Sequence, residues 1–315
     1  MARYRIYGLT LASAEPLPEL QPAEGSIDCR FRLLAASPAE PAPVDWFHRW
    51  LLPDDTVGLM FAKHEGGYLL RFPGTADFLV SRDGREISSY SPPESAPETV
   101  RHLLLDTVLP LTLSLRGALA LHAGAIMTPH GAIGFVGPSG RGKSTLTASF
   151  CRAGFRLVTD DCLVVRERSG RICAEPSYPG LRLWPESMHS LYETPPPTMR
   201  VTPYASKLRL AAGQGGITFE NGLVPLRRLF LLAPEVDLGE SQEVSISPIS
   251  PRDAVIELVR YAFKLDVTDR SLLQHEFDRL TRLVKHVPLR RLSFPHDLSR
   301  LPQVQAKILA DIARS

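Results

Sequence analysis

Gly137-Pro138-Ser139-Gly140-Arg141-Gly142-Lys143-Ser144 is the stretch on which the reading of this chain turns. It satisfies the pattern G-x-x-x-x-G-K-[ST] in full. An apolar run, Ala132 to Val136, precedes it, and a segment with helical character, Ser144 to Ala153, follows and ends at Gly154. Strand, glycine loop and helix, in that order, is the setting in which this pattern holds phosphate. Glycines let the backbone curl so that successive N–H groups point inward at phosphate oxygens, and no Cβ stands in the way. The helix start adds partial positive charge. The pattern predicts a nucleotide site made by Gly137, Pro138, Ser139, Gly140, Arg141, Gly142, Lys143, Ser144 and Thr145. Lys143 reaches the β- and γ-phosphates in this reading, and the Ser144 hydroxyl holds Mg²⁺.

Chain arithmetic brings a second feature to the loop. A helix from Ser144 to Ala153 climbs about 15 Å at 1.5 Å per residue. The strand-like return, Phe155 to Thr159, descends about 20 Å with its flanking residue. Asp160-Asp161 therefore arrives level with the glycine loop, next to the loop's own strand if the unit is an ordinary right-handed βαβ. Carboxylates near a triphosphate are what Mg²⁺ requires. Side chains alternate along a regular strand, so two adjacent aspartates are expected to face opposite ways, one toward the metal and the other toward the phosphoryl acceptor.

Upstream, Ala118 to Ile126 reads as a strand joined to Ala132–Val136 across Thr128-Pro129-His130-Gly131. That hairpin would carry His122 into the same region of the sheet. Downstream, Lys207 and Arg209 share one face of a strand, Ser206 to Leu210. They suit either a cation for the transferred phosphoryl group or a solvated basic edge. Arg227-Arg228 and Arg290-Arg291 read as surface charge.

Residues 1–95 read as a small β-rich accessory or docking domain with turn signals at Gly66-Gly67 and Asp83-Gly84. Prolines at 38, 41 and 43, and again at 92, 93 and 97, punctuate it, and the second cluster marks the expected border. From residue 96 onward strands mix with helices, which predicts an α/β domain with a mixed sheet over 96–315. Leucine-rich Thr99 to Leu115 has helical spacing, with a kink or break due at Pro110.

The 315 residues carry 36 Lys+Arg against 34 Asp+Glu, a net charge of +2 that gives no field of one sign to gather nucleic acid or anionic lipid. No stretch is long and apolar enough to span a bilayer. Cys29, Cys151, Cys162 and Cys173 are too scattered for a disulfide framework or a zinc site, so free thiols and a cytoplasmic location are expected. The sequence leaves a homo-oligomer open.

Together, His122-Ala123, the glycine loop from Gly137 to Ser144 and Arg152-Ala-Gly-Phe-Arg-Leu-Val-Thr-Asp160-Asp161 resemble the core of HPr kinase/phosphorylase. The match looks closer still to the HPr-kinase-related proteins, which include lasso-peptide serine kinases. It spans about Leu119 to Val165. The resemblance implies a P-loop kinase domain of HPr-kinase type that transfers the γ-phosphate of Mg-ATP to a serine hydroxyl. The acceptor would be a peptide or protein, with a biosynthetic precursor peptide favoured. It implies that Asp161 and Asp160 are the acid/base and metal carboxylates, that Ser144 and Asp161 hold the metal, and that His122 is an active-site histidine beside Lys143. The chain departs from the bifunctional members at Thr145, where they carry Glu, and at Ser177, where a metal-binding Glu is expected. Phosphorylase activity and HPr as substrate are accordingly not expected. A small-molecule hydroxyl kinase and a non-catalytic nucleotide sensor remain alternatives.

Overall fold

Alternation of period two runs through the first third of the chain. It is cleanest in Ala76–Ser81, where Ala76, Phe78 and Val80 are buried and their neighbours are not. The computed structural model describes residues 1–34, 44–52, 54–202, 205–211, 213–233, 243–295 and 297–314. Pro38, Pro41, Pro43 and His296 lie outside them.

The protein is a mixed α/β structure that divides into two compact units. The first comprises Met1–Ala118, Thr202–Tyr204 and Lys264–His275. Its strands are β1 (Ala2–Ile6), β2 (Leu9–Ser13), β3 (Gln21–Pro22), β4 (Cys29–Leu33), β5 (Asp45–Leu51), β6 (Val57–His64), β7 (Gly67–Phe72), β8 (Ala76–Ser81) and β9 (Glu86–Tyr90). They form one sheet in the order β3-β1-β2-β4-β9-β8-β7-β6-β5, antiparallel except where β4 pairs β2 and β9 in parallel. Tyr7 and Gly8 close the β1–β2 hairpin, both with positive φ, as a two-residue primed turn demands. Helices α1 (Pro97–Leu103) and α2 (Leu109–Leu115) follow, and they belong to this unit.

The observed division thus falls after Ala118, whereas the proline cluster had suggested 95/96. The reason is burial. Val100, Leu104, Leu105, Val108, Leu109, Leu111 and Leu113 are all buried. The Tyr7 hydroxyl donates to the Leu105 carbonyl, and Arg101 pairs with Glu19. The break expected at Pro110 takes the form of a π turn over Leu104–Val108. Proline cannot donate to the residue four before it. The helix widens instead, and the Leu109 N–H donates to the Leu104 carbonyl.

The second unit comprises Leu119–Val201, Ala205–Phe263 and Glu276–Ser315. Its strands are β10 (Leu119–Thr128), β11 (Gly131–Val136), β12 (Arg156–Thr159), β13 (Cys162–Arg168), β14 (Arg171–Glu175), β15 (Gly180–Leu183), β16 (Met199–Thr202), β17 (Ala205–Ala211), β18 (Val224–Leu232), β19 (Ser245–Pro248) and β20 (Leu289–Ser293). Its helices are α3 (Lys143–Arg152), α4 (Pro185–Leu191), α5 (Pro251–Val259), α6 (Arg270–His286, of which Glu276 onward lies in this unit) and α7 (Leu301–Ala313). The main sheet runs β11-β10-β13-β14-β18-β20-β19, and β11 also pairs β18 in parallel. A separate small sheet has the order β15-β17-β16.

Alternation on β11 sends Ala132 and Val136 into a core with α5 and α6. It sends Ile133 and Phe135 into a second core under α3 and α7. Arg228, which read as surface charge in the sequence, is buried and donates to the Asp311 carbonyl and carboxylate. All four cysteines are buried free thiols. Among the described residues, no helix is long and apolar enough to cross a membrane.

Candidate active site

The glycine loop leaves β11 at Val136 and enters α3 at Lys143. Gly137, Gly140 and Gly142 have φ of 153°, 82° and 83°, the left-handed region that side chains rarely adopt. At Gly137 a Cβ would also sit 3.1 Å from the Leu232 carbonyl oxygen on β18. The first turn of α3 presents the N–H groups of Lys143, Ser144 and Thr145, which an α-helix leaves without intrahelical acceptors. The Leu146 N–H, donating to the Gly142 carbonyl, begins the helical ladder. Arg141 Nε donates to the Ala233 carbonyl at 3.0 Å and anchors the loop to the end of β18. Lys143 Nζ donates to the carbonyls of Gly137 and Pro138 at 2.9 and 3.0 Å. Burial pulls the Lys143 ammonium down to about 8, with Lys207 adding to the effect and Asp161 and Asp160 opposing it. The Thr145 hydroxyl is hydrogen-bonded to the Ser187 hydroxyl on α4 at 2.9 Å. Its backbone N–H is what remains for a ligand.

Helix α3 ends as the glycine signal predicted. Gly154 has φ of 93°, its N–H donates to the Cys151 carbonyl, and the Phe155 N–H donates to the Phe150 carbonyl. The Phe150 and Phe155 rings pack edge to face at 5.4 Å across this cap. The chain then returns as β12, but it does not lie beside β11. Strand β10 stands between them, because the β10–β11 hairpin has already taken that place. The level nevertheless matches the arithmetic. Val136 pairs with Ala123, and Thr159 with Ala125, two residues along the same strand.

Strands β12 and β13 both pair antiparallel with β10, and Asp160-Asp161 forms the bend between them. Here the expectation of opposed aspartates fails. A regular strand would alternate them, but the bend lets both carboxylates reach one guanidinium. Arg182 Nη2 lies 3.0 Å from Asp161 Oδ2, and its Nε lies 3.6 Å from Asp160 Oδ2. The Arg182 backbone N–H also donates to Asp160 Oδ2 at 2.8 Å. Asp160 Oδ1 is buried with no hydrogen-bond partner among the described residues. The other oxygen of Asp161 lies 3.4 Å from His122 Nδ1 on β10. The His122 ring packs edge to face on Phe263, and its backbone N–H donates to the Tyr261 carbonyl.

These charges act on one another. Burial raises the Asp160 carboxyl against the pull of Arg182, and Asp161 raises it further. Burial also pushes Asp161 upward, but His122, Arg182, Lys207 and Lys143 together outweigh it and hold Asp161 well below the carboxylate range. Burial lowers His122, which favours the neutral ring despite Asp161. Two neighbouring carboxyls thus lie on opposite sides of their ordinary value, a pattern found where acid and base roles are divided.

The structure therefore brings His122, Lys143, Asp160, Asp161 and Lys207 into one electrostatic neighbourhood. Strand β17 is the middle strand of its sheet rather than a solvated edge. Lys207 sits over the Trp184 ring at 5.5 Å. Arg209 is buried and donates to the Tyr178 hydroxyl at 3.0 Å. Among the described residues no cluster of three or more His, Cys, Asp or Glu has metal-site geometry. Sequence reading missed Arg182. Its only signal was a lone arginine in an apolar strand, Gly180-Leu181-Arg182-Leu183, where burial requires a carboxylate partner.

No protein-family model matches the chain, and no curated protein matches it. Among solved structures, the HPr(Ser) kinase/phosphatase from Coxiella burnetii aligns with 62% of this chain and 97% of its own, at 10% identity and a TM-score of 0.31. That score is too low to establish a shared fold.

Proposed function

We propose that the protein is an ATP-dependent phosphotransferase that moves the γ-phosphate to a serine hydroxyl of a peptide or protein. The observation that carries this reading is the meeting of Asp161, His122 and Arg182 in the electrostatic neighbourhood of Lys143. Backbone N–H groups at the start of α3 and the Lys143 ammonium hold the phosphates in this account, exchanging the carbonyls that Lys143 now touches for phosphate oxygens. Asp161, kept ionised, accepts the proton of the attacking hydroxyl. Neutral His122 holds that carboxylate in place from its other side. Lys207 adds positive charge where the transferred group becomes most charged.

Magnesium takes oxygen donors, and the Ser144 hydroxyl, Asp161 and the unbonded Asp160 Oδ1 fit that requirement. When bound, the ion would neutralise charge on the phosphates. The test is incubation with ATP labelled in its γ-phosphate, separately with a pool of serine peptides and with free serine, read by mass spectrometry. Labelled peptide serine supports the reading. Labelled free serine alone would make this a small-molecule kinase, and nucleotide binding with no transfer to any hydroxyl would make it a sensor.

A further inference from the structure

We propose that Arg182 is a resident counter-ion for the aspartate pair: its guanidinium takes the place of a divalent cation, so the site admits a metal only together with a nucleotide's phosphates. The inference rests on the phosphotransfer reading for its nucleotide, and on the Arg182–aspartate contacts and the surrounding charge for the metal. Arg182 is buried on β15 and touches one oxygen of each aspartate. A guanidinium keeps its proton at any pH a protein survives, so this cation cannot leave by deprotonation. Within the cluster, two carboxylates face three cations, Arg182, Lys143 and Lys207. A free divalent ion would enter a region already positive. A metal–triphosphate complex is net negative and is attracted there.

Two further observations point the same way. Arg182 stands directly across from Arg209 in the β15–β17 ladder, and like charges so placed repel. The pair is tolerated because Arg182 turns to the aspartates while Arg209 turns to Tyr178. Asp160 Oδ1 is buried and has no hydrogen-bond partner among the described residues. A buried acceptor left open is costly unless something fills it. A metal ion arriving with phosphates, or a water on that ion, would satisfy it without displacing Arg182.

Mn²⁺ binding followed by electron paramagnetic resonance tests this without any turnover. In the absence of nucleotide, the wild-type chain is expected to bind Mn²⁺ no more tightly than about 1 mM. Arg182→Met should bind free Mn²⁺ at least about tenfold tighter, and Arg182→Lys, which keeps the charge, should resemble wild type. A non-hydrolysable ATP analogue should bring Mn²⁺ into the wild-type site. Tight Mn²⁺ binding by the nucleotide-free wild-type chain overturns the proposal even if Arg182→Met does not fold, as does equal binding by all three chains. If Arg182→Met gains free Mn²⁺ but the wild type takes up no Mn²⁺–nucleotide complex, the counter-ion role stands, while entry of a metal with phosphates and the phosphotransfer reading both fall.

Discussion

Two buried aspartates, one in each unit, show opposite solutions to the same problem. Asp266 is 2% exposed and Asp160 is 4% exposed. Asp266 Oδ1 accepts from the Thr268 N–H, the Thr268 hydroxyl and the Asp269 N–H. Its Oδ2 accepts from the Tyr68 hydroxyl and pairs with Lys63 at 2.7 Å. Burial pushes Asp266 upward, yet hydrogen bonds from Lys63 and Thr268 more than offset it, so its carboxyl lies below the ordinary value. Asp160 has one oxygen served by Arg182 and the other unserved, and it lies above. Both desolvation, heavier at Asp160, and donor count, richer at Asp266, separate them. Asp266 clips Lys264–His275 to the sheet of the first unit, and nothing is left for a ligand to satisfy. Asp160 keeps a valence that the folded chain does not fill, which is expected of a group whose partner arrives from outside.

That contrast can be broken most decisively at the second site. Lys143→Ala should lower kcat for phosphate transfer on the order of 10³-fold, measured by ADP release, while the melting temperature barely moves, because a cation that burial disfavours has been removed. Asp161→Asn should lower kcat by about 10² to 10⁴-fold with the fold intact by circular dichroism.

At the first site the expected loss is in stability. Asp266→Ala removes the acceptor of the Tyr68 hydroxyl, the Thr268 and Asp269 N–H groups and the Lys63 ion pair, and should cost about 3 kcal/mol in urea unfolding. Because its folded carboxyl lies below the unfolded value of 3.8, the ionised Asp266 stabilises fully above that value. The contribution fades as pH falls through the folded pKa. The gap between wild type and Asp266→Asn should therefore be widest near neutrality and close in acid. A gap that widened in acid would show the donors to be ineffective.

Smaller effects sharpen the comparison. At Gly124 a Cβ would lie 2.4 Å from Thr147 Oγ1 and 3.2 Å from the Asp160 carbonyl oxygen, so Gly124→Ala should cost about 1–3 kcal/mol by forcing α3 off the sheet. Asp160→Asn should change stability by less than about 1 kcal/mol, since the neutral amide relieves a buried charge, in contrast to the loss at Asp266. Equal losses at the two aspartates would erase the distinction drawn between them.

Local signals made much of this legible. Gly142 and Gly154 mark the two ends of α3 because each needs a positive φ that other residues avoid. Alternation marked the strands, and the rise per residue placed Asp160-Asp161 at the level of the loop. What escaped was pairing between distant segments. Nothing near Phe155 says that β10 will stand between β11 and β12. Nothing near Asp160 says that Arg182, on a strand of another sheet, will meet it. The helical run before Ala118 belongs to the β-rich unit with its leucines buried, a placement that spacing within the run does not encode. The Thr145–Ser187 hydroxyl contact escaped for the same reason: the partner comes from another helix.

The central claim is that the loop and the aspartate pair act on a single nucleotide. Single-turnover transfer from γ-labelled ATP to a serine peptide, with nucleotide affinity measured on the same samples, tests it most directly. Asp161→Asn is expected to bind the nucleotide within about tenfold of wild type and to transfer essentially no label. Transfer at the wild-type rate by that variant would contradict the claim.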